Sequence, residues 1–402
     1  VKILAKPKRN DPCHCGSGEK YKRCCLDSDR EAERELQEML PDLEEAMREI
    51  RARIKRGPER LRNEYGVYVN YVSPVDWQGH KVWAIGTRVY PNRPPNETFH
   101  EFLLHVLRGT LGDKEWRDVE TRKPESERHF VMRCFEEYEK FTSVMLTPEN
   151  EQGDGRWAAE PNGFVLYLLS LAWDVASLIN ASNLPDALIA RLRDSAAYQG
   201  ARYEIAVAAV FARLDCEIKF LDEEEELRGQ KHVEFVATHR PTGQQITVEA
   251  KSRHRVGVIH QPGDPDPDDP LRGDARRVRG LYMAAVEKAP EDVPFVIFID
   301  VNAPLEPDAE GLEKQWMQDI KNWMGRLPVP TAEEPDIVNA LYVTNFAPHY
   351  QGEELAGRGE WAVVKPFYSR HPLDFDLTGM IDHALNNYQR VPAIDRNGEV
   401  LE

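Results

Sequence analysis

The spacing of apolar and polar positions divides the chain into stretches of different rhythm. Between Tyr65 and Asn183, two alternating segments, Tyr65 to Val72 and Lys81 to Tyr90, predict strands, and helical periodicity follows over Glu97 to Leu111, Glu125 to Met145 and Phe164 to Ile179. From Tyr198 the order changes to a helix ending near Leu214, then strands at Cys216 to Asp222, Lys231 to Thr238 and Gln245 to Ser252. A Pro, Gly and Asp-rich loop at Gln261 to Pro270 leads into a helix near Arg272 to Lys288. The apolar run Val293 to Val301 then suits a strand covered on both faces. Residues 302–402 add a helix around Glu313 to Met324 and strands at Asn339 to Val343 and Trp361 to Phe367.

This pattern divides the chain into a small module over 1–27, a charged helical connector over 28–64, an α+β region of unassigned role over 65–195, and an α/β domain over 196–402 whose mixed sheet is flanked by helices. A length of 402 residues agrees with two or three domains. With 41% hydrophobic and 30% charged residues the composition is that of a globular chain.

Net charge changes the picture more. At -17 the chain as a whole repels phosphate, so any contact with nucleic acid has to be local. Basic clusters stand at Lys6-Lys8-Arg9, Arg51-Arg53-Lys55-Arg56, Arg253-His254-Arg255 and Arg276-Arg277-Arg279. The opening residues lack the apolar run of a secretory signal, and Phe164 to Ile179 is shorter than the roughly 20 residues of a membrane span and contains Asp174. A cytoplasmic protein without a membrane partner is expected, with self-association left open.

Four of the six cysteines crowd into Cys13, Cys15, Cys24 and Cys25, a C-x-C-x8-C-C pattern. Residues 1–27 are too few to fold on apolar burial, and four thiolates close a tetrahedral shell around zinc. The segment Asp11-Pro-Cys-His-Cys-Gly-Ser-Gly-Glu-Lys-Tyr-Lys-Arg-Cys-Cys resembles the SEC-C motif, the zinc-binding tail of the bacterial preprotein translocase motor that recurs in other bacterial proteins. A shell filled by sulfur leaves no open position for water, so the expected zinc is structural. His14 reads as a bystander, and Lys20, Lys22 and Arg23 offer a face to a protein partner or a phosphate backbone.

The strands Lys231 to Thr238 and Gln245 to Ser252 flank His239-Arg240-Pro241-Thr242-Gly243-Gln244, a turn sequence. A hairpin symmetric about Pro241 and Thr242 places Glu234 opposite Glu249, and alternation puts Lys251 on the same face. Two acids in that relationship repel unless a cation lies between them. The E-x-K triplet after an acidic strand, within the order helix, three strands, helix, strand, resembles the PD-(D/E)XK superfamily, restriction-endonuclease-like nucleases. Glu234 replaces the usual Asp, and Val233 precedes it in place of Pro.

That resemblance implies a restriction-endonuclease-like fold and a magnesium-dependent endonuclease hydrolysing DNA phosphodiester bonds. Glu234, Glu249 and the carbonyl of Ala250 would hold magnesium, Lys251 would orient or help deprotonate the attacking water, and Glu204 would match a helical acid used by some branches. Arg253, Arg255, Arg276, Arg277 and Arg279 are the expected phosphate contacts. Defence against foreign DNA fits family habit. The alternative is a nuclease-like adaptor that has lost activity and docks nucleic acid or protein through the zinc module.

Other signals carry less. His100 and His105 are five residues apart, which on a helix turns their imidazoles about 140° apart. Trp157, Tyr167 and Trp173 read as core aromatics, Cys134 and Cys216 as small buried hydrophobes. The acidic loop at Asp264, Asp266, Asp268 and Asp269 lacks calcium-loop spacing.

Overall fold

The computed structural model describes residues 8–13, 15, 17–31, 57–69, 72–112, 114–152, 157–181, 184–221, 232–259, 275–306, 309–394 and 400. The acidic loop, His14 and most of the expected connector lie outside them. The chain forms two compact units, Val1–Glu59 and Arg60–Glu402.

The larger unit opens with an antiparallel sheet of β1 (Val72–Trp77), β2 (His80–Ile85) and β3 (Arg88–Arg93). The alternating stretch Lys81 to Tyr90 is therefore not one strand. It breaks at Gly86, whose φ of +56° closes the turn between β2 and β3. Tyr65 to Val72 is not a strand either: residues 57–65 are helical and pairing starts at Val72.

Four helices follow as α1 (Phe99–Leu111), α2 (Glu115–Thr121), α3 (Phe130–Met145) and α4 (Gly163–Ala181). Thr98 starts α1 by accepting from the Glu101 amide, while the Glu101 carboxylate accepts from the Thr98 amide. Helix α4 is long and apolar enough to pass for a membrane span, yet it is buried almost throughout as the central helix of the unit. Its one charge, Asp174, is paired with Arg202 and Arg213. Trp173 and Tyr167 are buried as expected, but Trp157 is 45% exposed, because it precedes α4 and misses its packing face.

Next come α5 (Asp186–Arg193) and α6 (Tyr198–Arg213), then β4 (Cys216–Phe220), β5 (Phe235–His239) and β6 (Gln245–Ser252). Helix α7 (Ala275–Val286) leads to β7 (Phe295–Asp300), α8 (Gln315–Met324) to β8 (Ala340–Asn345), and β9 (Glu360–Val364) precedes α9 (Phe375–Asn386). The six strands form one mixed sheet in the order β4-β5-β6-β7-β8-β9, antiparallel except for the parallel pairs β6-β7 and β7-β8. The parallel pairs need crossovers, which α7 and α8 supply.

Both sheet faces are covered. Ile246, Val248, Ala250, Phe298 and Tyr342 belong to the core that includes α4 and α6, whereas Ile297, Ile299 and Val343 pack with Val278 and Tyr282 of α7 and Trp316 of α8. The first of these cores runs without interruption from Leu61 to Val400, so no compact-unit boundary falls at the expected residue 195. Burying both faces offsets much of the conformational entropy lost on ordering, at about 25 cal/mol per Å² of apolar surface.

Candidate functional site

In the N-terminal unit, Cys13, Cys15, Cys24 and Cys25 bring four sulfurs within 4.8 Å of one another. Among the described residues they are the one group of three or more Cys, His, Asp or Glu side chains gathered this closely. Neighbouring sulfurs stand 3.3 Å apart for Cys15 and Cys24 and 3.7 Å for Cys24 and Cys25. A tetrahedron of Zn–S bonds about 2.3 Å long has edges of about 3.8 Å, so the sulfurs already stand near the required spacing.

Backbone pairing sets this up. The Cys13 amide donates to Glu19 O at 2.8 Å, the Tyr21 amide to Asp11 O at 2.9 Å, and Gly18 turns the loop at φ +78°. Tyr21 is 1% exposed and packs with Cys13 and Leu26, its hydroxyl donating to Asp29 at 2.7 Å. The other three sulfurs crowd Cys25 and push its thiol pKa up, while a Ser17 hydrogen bond brings Cys15 down to about 6. The donor set is soft, complete and preformed, which fits zinc. Lys20, Lys22 and Arg23 are exposed beside it.

The second constellation lies on the β5-β6 hairpin. Its turn closes through His239 N to Gln244 O at 2.9 Å and Gly243 N to His239 O at 2.7 Å, with Gly243 at φ +70°. The ladder pairs Phe235 with Val248 and Thr238 with Gln245, the register expected from the turn. Glu234 lies one residue beyond the last pair, and its carboxylate and that of Glu249 meet at one ammonium. Lys251 Nζ lies 2.8 Å from Glu234 Oε1 and 2.6 Å from Glu249 Oε1.

A fourth group completes the cluster. Lys288, just past the end of α7, places Nζ 2.7 Å from Glu249 Oε1 and 3.7 Å from Glu234 Oε1. Two carboxylates therefore face two ammonium groups. Burial, with Glu234 nearby, raises the Glu249 pKa; the lysines oppose the rise. For Lys251 burial works against the charge, but the two carboxylates outweigh it and lift the pKa above the usual lysine range. Sequence reading placed Lys288 only as the last residue of a helix, since nothing in a local pattern tells where a side chain beyond a helix end will reach.

The backbone direction of Ala250 follows from its neighbours on β6. The amides of Thr247 and Arg253 donate across to Pro294 O and Asp300 O beside β7, so odd positions of β6 turn their backbone groups toward β7. Even positions, Ala250 included, turn toward β5, where pairing stops at Phe235. Two carboxylates and one carbonyl are an all-oxygen donor set, which fits a hard divalent cation such as magnesium.

Other expected site residues go elsewhere. Glu204 lies on α6, which covers the sheet face of Val248 and Ala250, whereas Glu249 pairs with Ile297 and shares the opposite face. Arg191 engages Glu204 through two hydrogen bonds of 2.7 and 2.5 Å, and the structure does not bring it to the hairpin. Arg253 and Arg255 are 2% and 3% exposed, so they are not a phosphate-facing strip. Strand β6 ends at Ser252 and the chain turns under α6, where Gln199 bonds both the amide and the carbonyl of Arg255. Arg277 and Arg279 are exposed on α7; the side chain of Arg276 lies outside the described residues.

The sequence reading also missed a polar row. Ser252, Asp300 and Thr344 pair in register across β6, β7 and β8, where the apolar row of Ala250, Phe298 and Tyr342 ends. Ser252 and Asp300 border a cavity of about 30 Å³, also lined by Arg202, Asn302 and His349. That is room for about two water molecules. Burial lifts the Asp300 pKa to about 6 against hydrogen bonds from Phe346, Asn302, Thr344 and Ser252. Burial, aided by Arg202 and Arg255, lowers that of His349 to about 3. A signal was present: Asp300 is the one charged residue in the apolar run from Val293 to Val301.

With this geometry in place, comparison with known proteins assigns one part of the chain. The SEC-C motif family matches residues 9–27, so the four-cysteine centre belongs to a SEC-C motif. The relatives share that segment. Uncharacterized protein YecA of Escherichia coli (strain K12) is 65% identical over 26 residues, 6% of this chain and 12% of that protein. Protein translocase subunit SecA of Sulfurovum sp. (strain NBC37-1) is 85% identical over 20 residues, 5% of this chain and 2% of that protein. The chain thus covers a small fraction of the curated relatives it matches. No solved structure matches it.

Proposed function

We propose that residues 198–301 form a restriction-endonuclease-like core and that the protein is a magnesium-dependent endonuclease acting on DNA. The observation that supports this reading is the convergence of Glu234, Glu249 and Lys251 on one buried point, at 2.8 and 2.6 Å from the shared ammonium. The strand order and the helix-strand-strand-strand-helix-strand succession from α6 to β7 are consistent with it.

Glu234, Glu249 and the Ala250 carbonyl would hold the magnesium, which when bound supplies positive charge against the charge that builds on the phosphate. Lys251 keeps a proton-bearing ammonium beside both acids, where it can hold an attacking water by its oxygen. Arg277 and Arg279 supply exposed positive charge on the helix that leads to Lys288. The four-cysteine module takes no part in this chemistry. It would dock a protein partner or a phosphate backbone through Lys20, Lys22 and Arg23.

A second reading draws on the same site. Glu249 is fully buried and already neutralised by two lysines, which also suits an inactive core that serves as a scaffold. Incubating the full chain with supercoiled plasmid decides between them. Nicking or linearisation that needs magnesium, stops with chelator and disappears in both Glu249→Ala and Lys251→Ala is expected. If the wild type cuts nothing with magnesium or manganese, or cuts as well as both variants do, the nuclease reading is wrong.

A further inference from the structure

We propose that Lys288 is a resident counter-cation of the hairpin site, which leaves the carboxylates when a divalent cation binds and then holds a phosphate of the nucleic-acid backbone. This rests on the nuclease reading above and adds to it a residue outside the acid-acid-lysine triplet.

Charge balance comes first. Two carboxylates and two ammonium groups meet with Lys251 and Lys288 at 2.6 and 2.7 Å from the same Glu249 oxygen, so the cluster is neutral without metal. A dication placed between the acids leaves an excess of two positive charges in a mostly buried site. Uncompensated charge is costly at low dielectric, and moving one ammonium out relieves half of that excess.

Position decides which ammonium moves. Lys251 is held in the middle of the sheet, its residue paired with Ile299 of β7 and its Nζ in contact with both acids. Lys288 is anchored less firmly. It is the second residue after α7, its amide bonds back to Ala285 O at 2.9 Å, and its hold on Glu234 is the longer one at 3.7 Å. Its side chain is 20% exposed against 25% for Lys251, so exposure does not separate the two ammonium groups and the weaker anchorage does.

What it would meet there follows from its place in the chain. Lys288 lies two residues past the end of α7, the helix that also carries Arg277. Arg277 is exposed. An ammonium released at the end of a helix that carries exposed Arg277 and Arg279 adds to a basic face, which suits the repeated charges of a phosphate backbone better than a single small anion.

The test titrates Mn²⁺ alone into the wild type, Lys288→Met, Lys288→Gln and Glu249→Gln by calorimetry, with circular dichroism melts to confirm folding. It then measures binding to a DNA duplex with Ca²⁺ over a range of salt. Removing the competing ammonium is expected to tighten Mn²⁺ binding about tenfold. It should also weaken duplex binding and flatten its salt dependence by about one unit of slope. If both Lys288 variants fold and bind Mn²⁺ no more tightly than the wild type, while Glu249→Gln loses it, the metal site stands and the role of Lys288 falls. If the wild type binds no Mn²⁺, both readings fall together.

Discussion

Glu234 and Glu249 share one ammonium, with Lys251 Nζ 2.8 Å from Oε1 of the first and 2.6 Å from Oε1 of the second. Removing that ammonium leaves two acids with only Lys288 between them. Lys251 is 25% exposed, so part of the effect is screened, and Lys251→Met is expected to cost about 1–3 kcal/mol. Urea denaturation at neutral pH measures it. Adding Glu249→Gln should restore part of the loss, and a double variant less stable than either single one would contradict this account.

Asp300 supplies a pH signature. Its pKa is raised from 3.8 to about 6 in the fold, so the native state binds its proton more tightly than the unfolded chain does. Its contribution to stability is therefore present below about pH 4 and is lost as pH rises toward 6. Relative to the wild type, Asp300→Asn should gain up to about 3 kcal/mol above pH 6, with the advantage vanishing toward pH 4. Denaturation series on both proteins across that range test it; a constant difference would show that ionisation of Asp300 plays no part.

For the SEC-C motif we expect about one zinc per chain by metal analysis of reduced protein. Stripping it should expose Tyr21, now 1% exposed, and release the amides of Cys13 and Tyr21 to rapid hydrogen exchange. Protection unchanged after complete chelation would mean that the loop does not depend on metal.

The arginines divide by burial. If the chain binds duplex DNA, Arg277→Ala and Arg279→Ala should each lower the salt slope by about one, since both side chains are exposed. Arg255→Ala should leave that slope alone and lower the melting temperature instead, because Arg255 is 3% exposed. A slope change for Arg255 alone would reverse this assignment.

What could be read from the chain follows the range of the forces involved. The β5-β6 register, and with it the approach of Glu234 and Glu249 to Lys251, was legible because the turn at Pro241 and Thr242 sets the register locally, and the cysteine centre because its four cysteines lie within thirteen positions. Glu204, Arg253 and Arg255 were misplaced for a common reason. Alternation identifies a face only while the strand lasts, and periodicity does not say which side of a sheet a helix will cover. Lys288 and the Ser252-Asp300-Thr344 row depend on parallel pairings between distant segments, which no local pattern encodes.

The crossover between β6 and β7 also sets an order of events during synthesis. Glu234, Glu249 and Lys251 leave the ribosome well before α7 and Lys288 do, so the nascent hairpin carries two acids and one base with its polar face still in water. Only when α7 folds back and β7 inserts beside β6 does that face become enclosed and its charge balanced. A chain released before residue 288 would retain the hairpin sequence without its second counter-ion or the strand beside it.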